Sequence, residues 1–239
     1  MPDKITILIP AYNEESIILK LISPLRMWKQ NDWHNRSIII VDDGSKDQTM
    51  PAAKSQWTEV IKSDELGRNL GKADAFIKGV RYASKNCAPD FIVTLDADLI
   101  DLNPKHIDEL VAELKHTGSN MVIAKSLEFS EHYGWVNAAK TSGQRAFRVA
   151  ALNPIILGNK KWLTILEGSK YGLEEALNVL IPKHRSSEIT FHADTALRKS
   201  FATTQGDQRR LIRERISERR VAAKALRALR KGKQGHRVL

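Results

Sequence analysis

Phe91-Ile92-Val93-Thr94-Leu95-Asp96-Ala97-Asp98 sets five apolar or β-branched residues ahead of two carboxylates one residue apart. Such a run, bounded in front by Pro89, predicts a short strand buried on both faces. Open α/β sheets bind ligands outside the carboxyl ends of their strands, which is where the acidic pair falls. Asp96 and Asp98 suit a shared hard divalent cation, because Mg2+ or Mn2+ takes oxygen ligands and keeps places for water and phosphate oxygens. A plainer reading makes Asp98 the cap of a following turn, and the stretch alone leaves both open.

Working outward, the same kind of apolar run recurs at Lys4–Pro10, Ser37–Val41, Glu59–Lys62 and Asn120–Ala124, with a short strand at Glu188–His192. Between the runs lie helical patterns. Asn13 reads as an N-cap with Glu14 and Glu15 in the first turn of a helix bearing Ile17, Ile18, Leu21 and Leu25. Pro24 is expected to shorten or kink that helix. Ala73, Phe76, Ile77 and Val80 mark a second helix, and Ile107, Leu110, Val111 and Leu114 a third beginning near Pro104. Gly134–Val149 and Tyr171–Leu180 read as further helices. Strands alternating with helices at this spacing predict an α/β fold with a mostly parallel, Rossmann-like sheet flanked by helices. No internal repeat interrupts it.

The net charge of +10 belongs to one end. Residues 209–239 hold 12 Lys or Arg against two acids, so residues 1–208 are formally neutral. This divides the chain into a folded part, 1–208, and a basic helical tail, 209–239. The tail's thin apolar face suits an anionic membrane surface, where each cation contributes about 1 kcal/mol. A solvated terminus and nonspecific nucleic-acid binding are the other readings. Cys87 is the only cysteine, which excludes an intramolecular disulfide and a cysteine-based zinc site and points to a reducing cytoplasm. No stretch is long and apolar enough to span a membrane.

The candidate chemistry is that of a nucleotide diphosphate held through a metal. Acids end a second strand as well, at Asp42-Asp43-Gly44-Ser45. Asp43 can accept a hydrogen bond from a ribose hydroxyl or a base N–H, and Tyr12 offers a face for stacking. The glycine-flanked loop Gly67-Arg68-Asn69-Leu70-Gly71-Lys72 supplies Lys72 or Arg68 to neutralise phosphate.

In order along the chain, Ile9-Pro10-Ala11-Tyr12-Asn13-Glu14-Glu15, Val41–Thr49, Asn69-Leu70-Gly71-Lys72-Ala73 and Leu95-Asp96-Ala97-Asp98 resemble the family-2 glycosyltransferases of GT-A fold. The resemblance covers about the first 125 residues, the nucleotide-sugar half, and leaves 126–208 as the acceptor half. It implies a nucleotide-diphosphate sugar donor, Mg2+ or Mn2+ at the Asp-x-Asp, and inverting transfer. It places Pro10, Tyr12, Glu14 and Asp43 at nucleotide positions, and Asp96, Ala97 and Asp98 at the metal and diphosphate.

The second half is similar to the polyprenyl-phosphate sugar transferases (dolichyl-phosphate mannose synthase-like) and to soluble glucosyl-3-phosphoglycerate synthase-like enzymes. Ser142-Gly143-Gln144-Arg145-Ala146-Phe147 resembles their Ser-Gly-x-Arg-Ala-aromatic segment, making Arg145 a candidate for phosphate. Tyr171-Gly172-Leu173-Glu174 resembles a segment near the reacting centre, making Glu174 or Glu175 the candidate acid. His192 falls where many such enzymes place a metal-binding histidine. The expected activity is transfer of a sugar to a phosphorylated acceptor, with polyprenyl phosphate first and a phosphorylated small acid second. A non-catalytic nucleotide-sugar- or nucleic-acid-binding protein is the alternative from another class.

Overall fold

The computed structural model describes residues 2–56, 58–100, 102–130, 134–138, 142–169, 172–190 and 198–199. The expectations for His192, Tyr171 and the tail 209–239 lie outside these residues. The strands are β1 (Ile5–Ala11), β2 (Arg36–Asp42), β3 (Glu59–Lys62), β4 (Phe91–Thr94), β5 (Leu99–Ile100), β6 (Met121–Ser130), β7 (Gly134–Ala138), β8 (Arg145–Arg148), β9 (Ser186–Thr190) and β10 (Arg198–Lys199). The α-helices are α1 (Ile18–Gln30), α2 (Thr49–Lys54), α3 (Lys72–Asn86), α4 (Lys105–Thr117), α5 (Asn153–Ile156), α6 (Lys160–Glu167) and α7 (Leu173–Leu180).

The strands β3, β2, β1 and β4 run parallel, in that order, as the alternation with α1, α2 and α3 requires. Each apolar run feeds two cores because successive side chains point to opposite faces. In β1, Ile7 and Ile9 pack with Ile18, Leu21 and Leu25 of α1 and with Ile107 and Leu110 of α4. Leu8, between them, joins Phe76 and Val80 of α3 on the other face. In β1, β2 and β4, burial on both faces is what makes the strands read as continuous apolar runs rather than alternating ones.

Past β6 the pattern departs from the sequence reading. Within Gly134–Val149, expected to be helical, the structure instead places two strands: β7 pairs antiparallel with the second half of β6, and β8 lies antiparallel between β4 and β6. Ala146 belongs to the core under α1 and α4 while Phe147 belongs to the core under α3, so the segment has period two. A strand this short shows its period only once its neighbours are known, and pairing on both edges overrides the helix preference of Gln, Arg and Ala. β9 extends the sheet, parallel to β6.

The start of α1 also differs. It begins at Ile18, its N-cap Ile17 makes no side-chain cap bond, and its first turn holds no acid. Asn13, Glu14 and Glu15 stand before it in a loop. The helix runs through Pro24 to Gln30 rather than stopping there. No helix among the described residues is long and apolar enough to cross a membrane.

His106, in the first turn of α4, is 1% exposed, and burial holds its imidazole down to about 4. The unfolded chain takes up this proton near its ordinary value of about 6.5, so between those pH values the unfolded state binds more protons. Stability from this group is therefore present above about 6.5 and lost as pH falls toward 4. We expect the thermal midpoint of His106→Leu to fall less steeply than that of the parent across this window; an equal slope would contradict the assignment.

Candidate active site

The tips of β1 and β2 are in register, Ala11 opposite Asp42, and the Asp43 N–H donates to the Ala11 carbonyl at 2.9 Å. The loops leaving these tips are tied together. Asn13 N–H donates to Ser45 Oγ at 3.1 Å, Lys46 N–H to Asn13 Oδ1 at 2.8 Å and Glu14 N–H to Thr49 Oγ1 at 2.7 Å. Gln48 N–H donates to Glu15 Oε2 at 2.8 Å and Glu15 N–H to Asp47 Oδ2 at 3.2 Å. Asn13 takes a left-handed backbone, φ 55°, which Asn tolerates better than most residues. These residues clamp two loops instead of opening a helix.

Asp43 sits beneath the glycine-flanked loop. Its carboxylate accepts from the Ser63 hydroxyl at 2.7 Å, Leu70 N–H at 3.1 Å and Gly71 N–H at 2.8 Å. At 3% exposure it anchors the loop, and its assignment to the nucleotide stays a proposal. The approach is close: a Cβ on Gly44, whose φ is +81°, would lie 2.7 Å from the Gly67 carbonyl oxygen. These loops are thus fixed by backbone contact that only glycine permits at that position. Arg68 forms an ion pair with Asp64 at 2.9 Å, so its fork is turned to its own loop.

Because Asp43 fixes Gly71, it also fixes the next residue. Lys72, the first residue of α3, extends its ammonium to Asp96 Oδ1 and Glu174 Oε1. The other Asp96 oxygen accepts from the Gln144 side-chain amide at 2.9 Å. Gln144 is itself held by the Ser142 hydroxyl, which donates to its Oε1 at 2.6 Å. Gly143, between them, lies against Asp96 so closely that a Cβ would fall 2.0 Å from Oδ1. Asp96, Gln144 and Glu174 are all buried, and Lys72 is partly exposed. One connected path therefore runs from the β2 tip through Asp43, Gly71 and Lys72 to the β4 tip and α7.

Arg145 does not face this opening. It is 1% exposed and gives its Nε–H to the Ser142 carbonyl at 2.7 Å and an Nη1–H to Asn178 Oδ1 at 2.8 Å. Burial draws the guanidinium down to about 10, with Glu174, Glu175 and Asp96 pulling the other way, so it stays protonated at neutral pH. Arg145 holds the Ser142–Gln144 loop against α7, and its assignment to a phosphate stays a proposal. Pro10, Tyr12, Glu14 and Asp98 are half-buried around the crevice and Ala97 is buried. Sequence reasoning missed Gln144, Ser142, Ser63 and Asn178. Only the unassigned third position of Ser-Gly-x-Arg pointed toward Gln144.

Glycosyl transferase family 2 matches residues 6–169, which carry Asp43, Lys72, Asp96, Asp98 and Gln144 but not Glu174. The chain belongs to that family. An undecaprenyl-phosphate 4-deoxy-4-formamido-L-arabinose transferase of Pseudomonas fluorescens is 33% identical over 112 residues, 46% of this chain and 32% of that protein. An uncharacterised glycosyltransferase of Synechocystis is 36% identical over 120 residues, 46% of this chain and 34% of the relative. The chain thus spans about a third of these curated relatives' length. Among solved structures, glucosyl-3-phosphoglycerate synthase from Mycobacterium tuberculosis with Mn2+, uridine-diphosphate-glucose and phosphoglyceric acid superimposes with TM-score 0.62 at 18% identity, covering 90% of this chain and 79% of that one. That likeness establishes the GT-A fold.

For a family-2 glycosyltransferase the relevant test is whether the strand tip suits a divalent ion. Asp96 and Asp98 offer hard carboxylate oxygens, and Mg2+ or Mn2+ is commonly held by one or two carboxylates with phosphate oxygens and water completing the shell. Among the described residues no group of three or more His, Cys, Asp or Glu is placed to hold a metal. The donor set fits an ion shared with a phosphorylated ligand.

Proposed function

We propose that this chain moves a sugar from a nucleotide-diphosphate sugar to a phosphorylated acceptor, with inversion, and that the acceptor is a polyprenyl phosphate. The observation that carries the reading is the junction of Lys72 with Asp96 and Glu174, which gathers a cation and two acids from three separate elements at the carboxyl edge of the sheet. The lipid-phosphate acceptor is supported by the undecaprenyl-phosphate transferases among the relatives.

Asp96 and Asp98 are the residues that would hold Mg2+ or Mn2+, which when bound neutralises charge developing on the leaving diphosphate. Lys72 adds a second cation for the same oxygens, preorganised by α3 and by the Asp43 anchor behind it. Pro10, Tyr12 and Glu14 border the nucleotide end. Glu174 orients Lys72 and, with a hydroxyl acceptor, would take its proton. A phosphate acceptor is already ionised near neutral pH and needs no such base. His192 is proposed as a further metal ligand and residues 209–239 as a contact for anionic membrane, both on the sequence alone.

A second reading keeps the donor and uses a soluble phosphorylated acid. It is favoured by the fold neighbour whose structure contains phosphoglyceric acid. Purified protein, radiolabelled nucleotide sugar and Mn2+ separate the two. Label partitioning into organic solvent only with polyprenyl phosphate is the expected result; label moving only to an added phosphoglyceric acid would replace it with the second reading.

A further inference from the structure

The side chains of Asp96 and Glu174 are only 6% and 9% exposed, and two buried carboxylates need a cation beside them. Lys72 is that cation, its ammonium meeting one oxygen of each. The other sides of Asp96 are crowded. Gln144 donates to its second oxygen at 2.9 Å, and Gly143 leaves no space for even a methyl group against the first. A metal ion on Asp96 Oδ1 would take an oxygen the ammonium now holds, and one on Oδ2 would lie a carboxylate's width from it, so either placement sets two cations in repulsion in so buried a place.

From this competition we infer that Lys72 is the resting counter-cation of the Asp96–Glu174 pair, and that metal loading displaces its ammonium into the crevice. Lys72 sits at the first position of α3 with its side chain 24% exposed, so the long aliphatic stem can swing without moving the helix. Once released, the ammonium is available to the diphosphate of the donor that arrives with the metal. The exchange keeps Asp96 neutralised in both states and couples the position of Lys72 to metal occupancy. It gives Gln144 a distinct task as a positioning residue: it holds Asp96 in place while the cation on the other oxygen changes.

This inference rests on the metal reading above, and calorimetric titration of the full-length protein with Mn2+ alone, without donor, separates the two. Lys72→Met removes the competitor and is expected to bind Mn2+ about tenfold more tightly than the parent, whereas Lys72→Arg, which keeps the charge, stays near it. Equal or weaker binding by Lys72→Met overturns the counter-cation role alone. Absence of Mn2+ binding in all three proteins overturns the metal reading and this inference with it. A second measurement needs no folded Met variant. In the parent protein, Mg2+ is expected to shift the Lys72 side-chain Nζ resonance, assigned by its loss in Lys72→Arg; a resonance unmoved at saturating Mg2+ overturns the displacement.

Discussion

Asp98→Ala is expected to fold as the parent does and to lose about a thousandfold in sugar transfer at saturating Mn2+, equivalent to about 4 kcal/mol of barrier. Asp98 is half-buried just beyond β4 and belongs to neither hydrophobic core. What it removes is a hard oxygen donor where the leaving diphosphate would be neutralised. The loss should fall mainly on kcat, because charge on the leaving group is greater in the transition state than in the bound donor. Steady-state rates beside a melting curve measure it. A folded Asp98→Ala protein that retains transfer, or keeps it in excess chelator, would place the metal elsewhere.

Gly143→Ala should be nearly as damaging through geometry instead of charge. The added methyl would stand 2.0 Å from Asp96 Oδ1 and 2.6 Å from its Cγ. Asp96 cannot rotate away cheaply, since Lys72 and Gln144 grip its two oxygens and it is 5% exposed. Nor can the loop lift, because Thr94 Oγ1 donates to the Gly143 carbonyl at 2.8 Å and Arg145 holds Ser142. Overpacking of this kind costs about 1–3 kcal/mol of stability. Displacing a site carboxylate by an ångström costs on the order of a hundredfold in rate. Denaturant unfolding and transfer assays of one preparation read both effects. Unchanged activity in Gly143→Ala would mean that the position of Asp96 does not matter to the reaction.

The parallel half of the fold was legible because its evidence is local. Phe91–Leu95 and Ser37–Val41 are apolar runs closed by acids, and the spacing of Phe76, Ile77 and Val80 announces α3 without reference to any distant residue. The strand β8 was not legible, because Arg145–Arg148 gains its strand character only from β4 and β6 on its two edges. The same distance in sequence hid the centre of the site. Lys72 is 24 residues from Asp96 and 102 from Glu174, and no spacing rule joins them. Residue type and the family resemblance point to Arg145 and Asp43 as ligand contacts and carry no sign of what surrounds them. Their burial, imposed by α7 and by the 67–71 loop, makes one a brace and the other an anchor. Asn13 misled in the same way, since a good capping residue also serves a left-handed loop.

Asp96 and Asp98, just beyond β4, are proposed to bind a nucleotide-diphosphate sugar through a divalent ion. Titrating the full-length protein with a panel of nucleotide sugars, in Mn2+ and again in excess chelator, tests it most directly. At least one member of the panel should bind tenfold or more tightly with the metal, and lose that gain on chelation and in Asp98→Ala. Binding of equal strength with and without metal, in both proteins, would contradict the account.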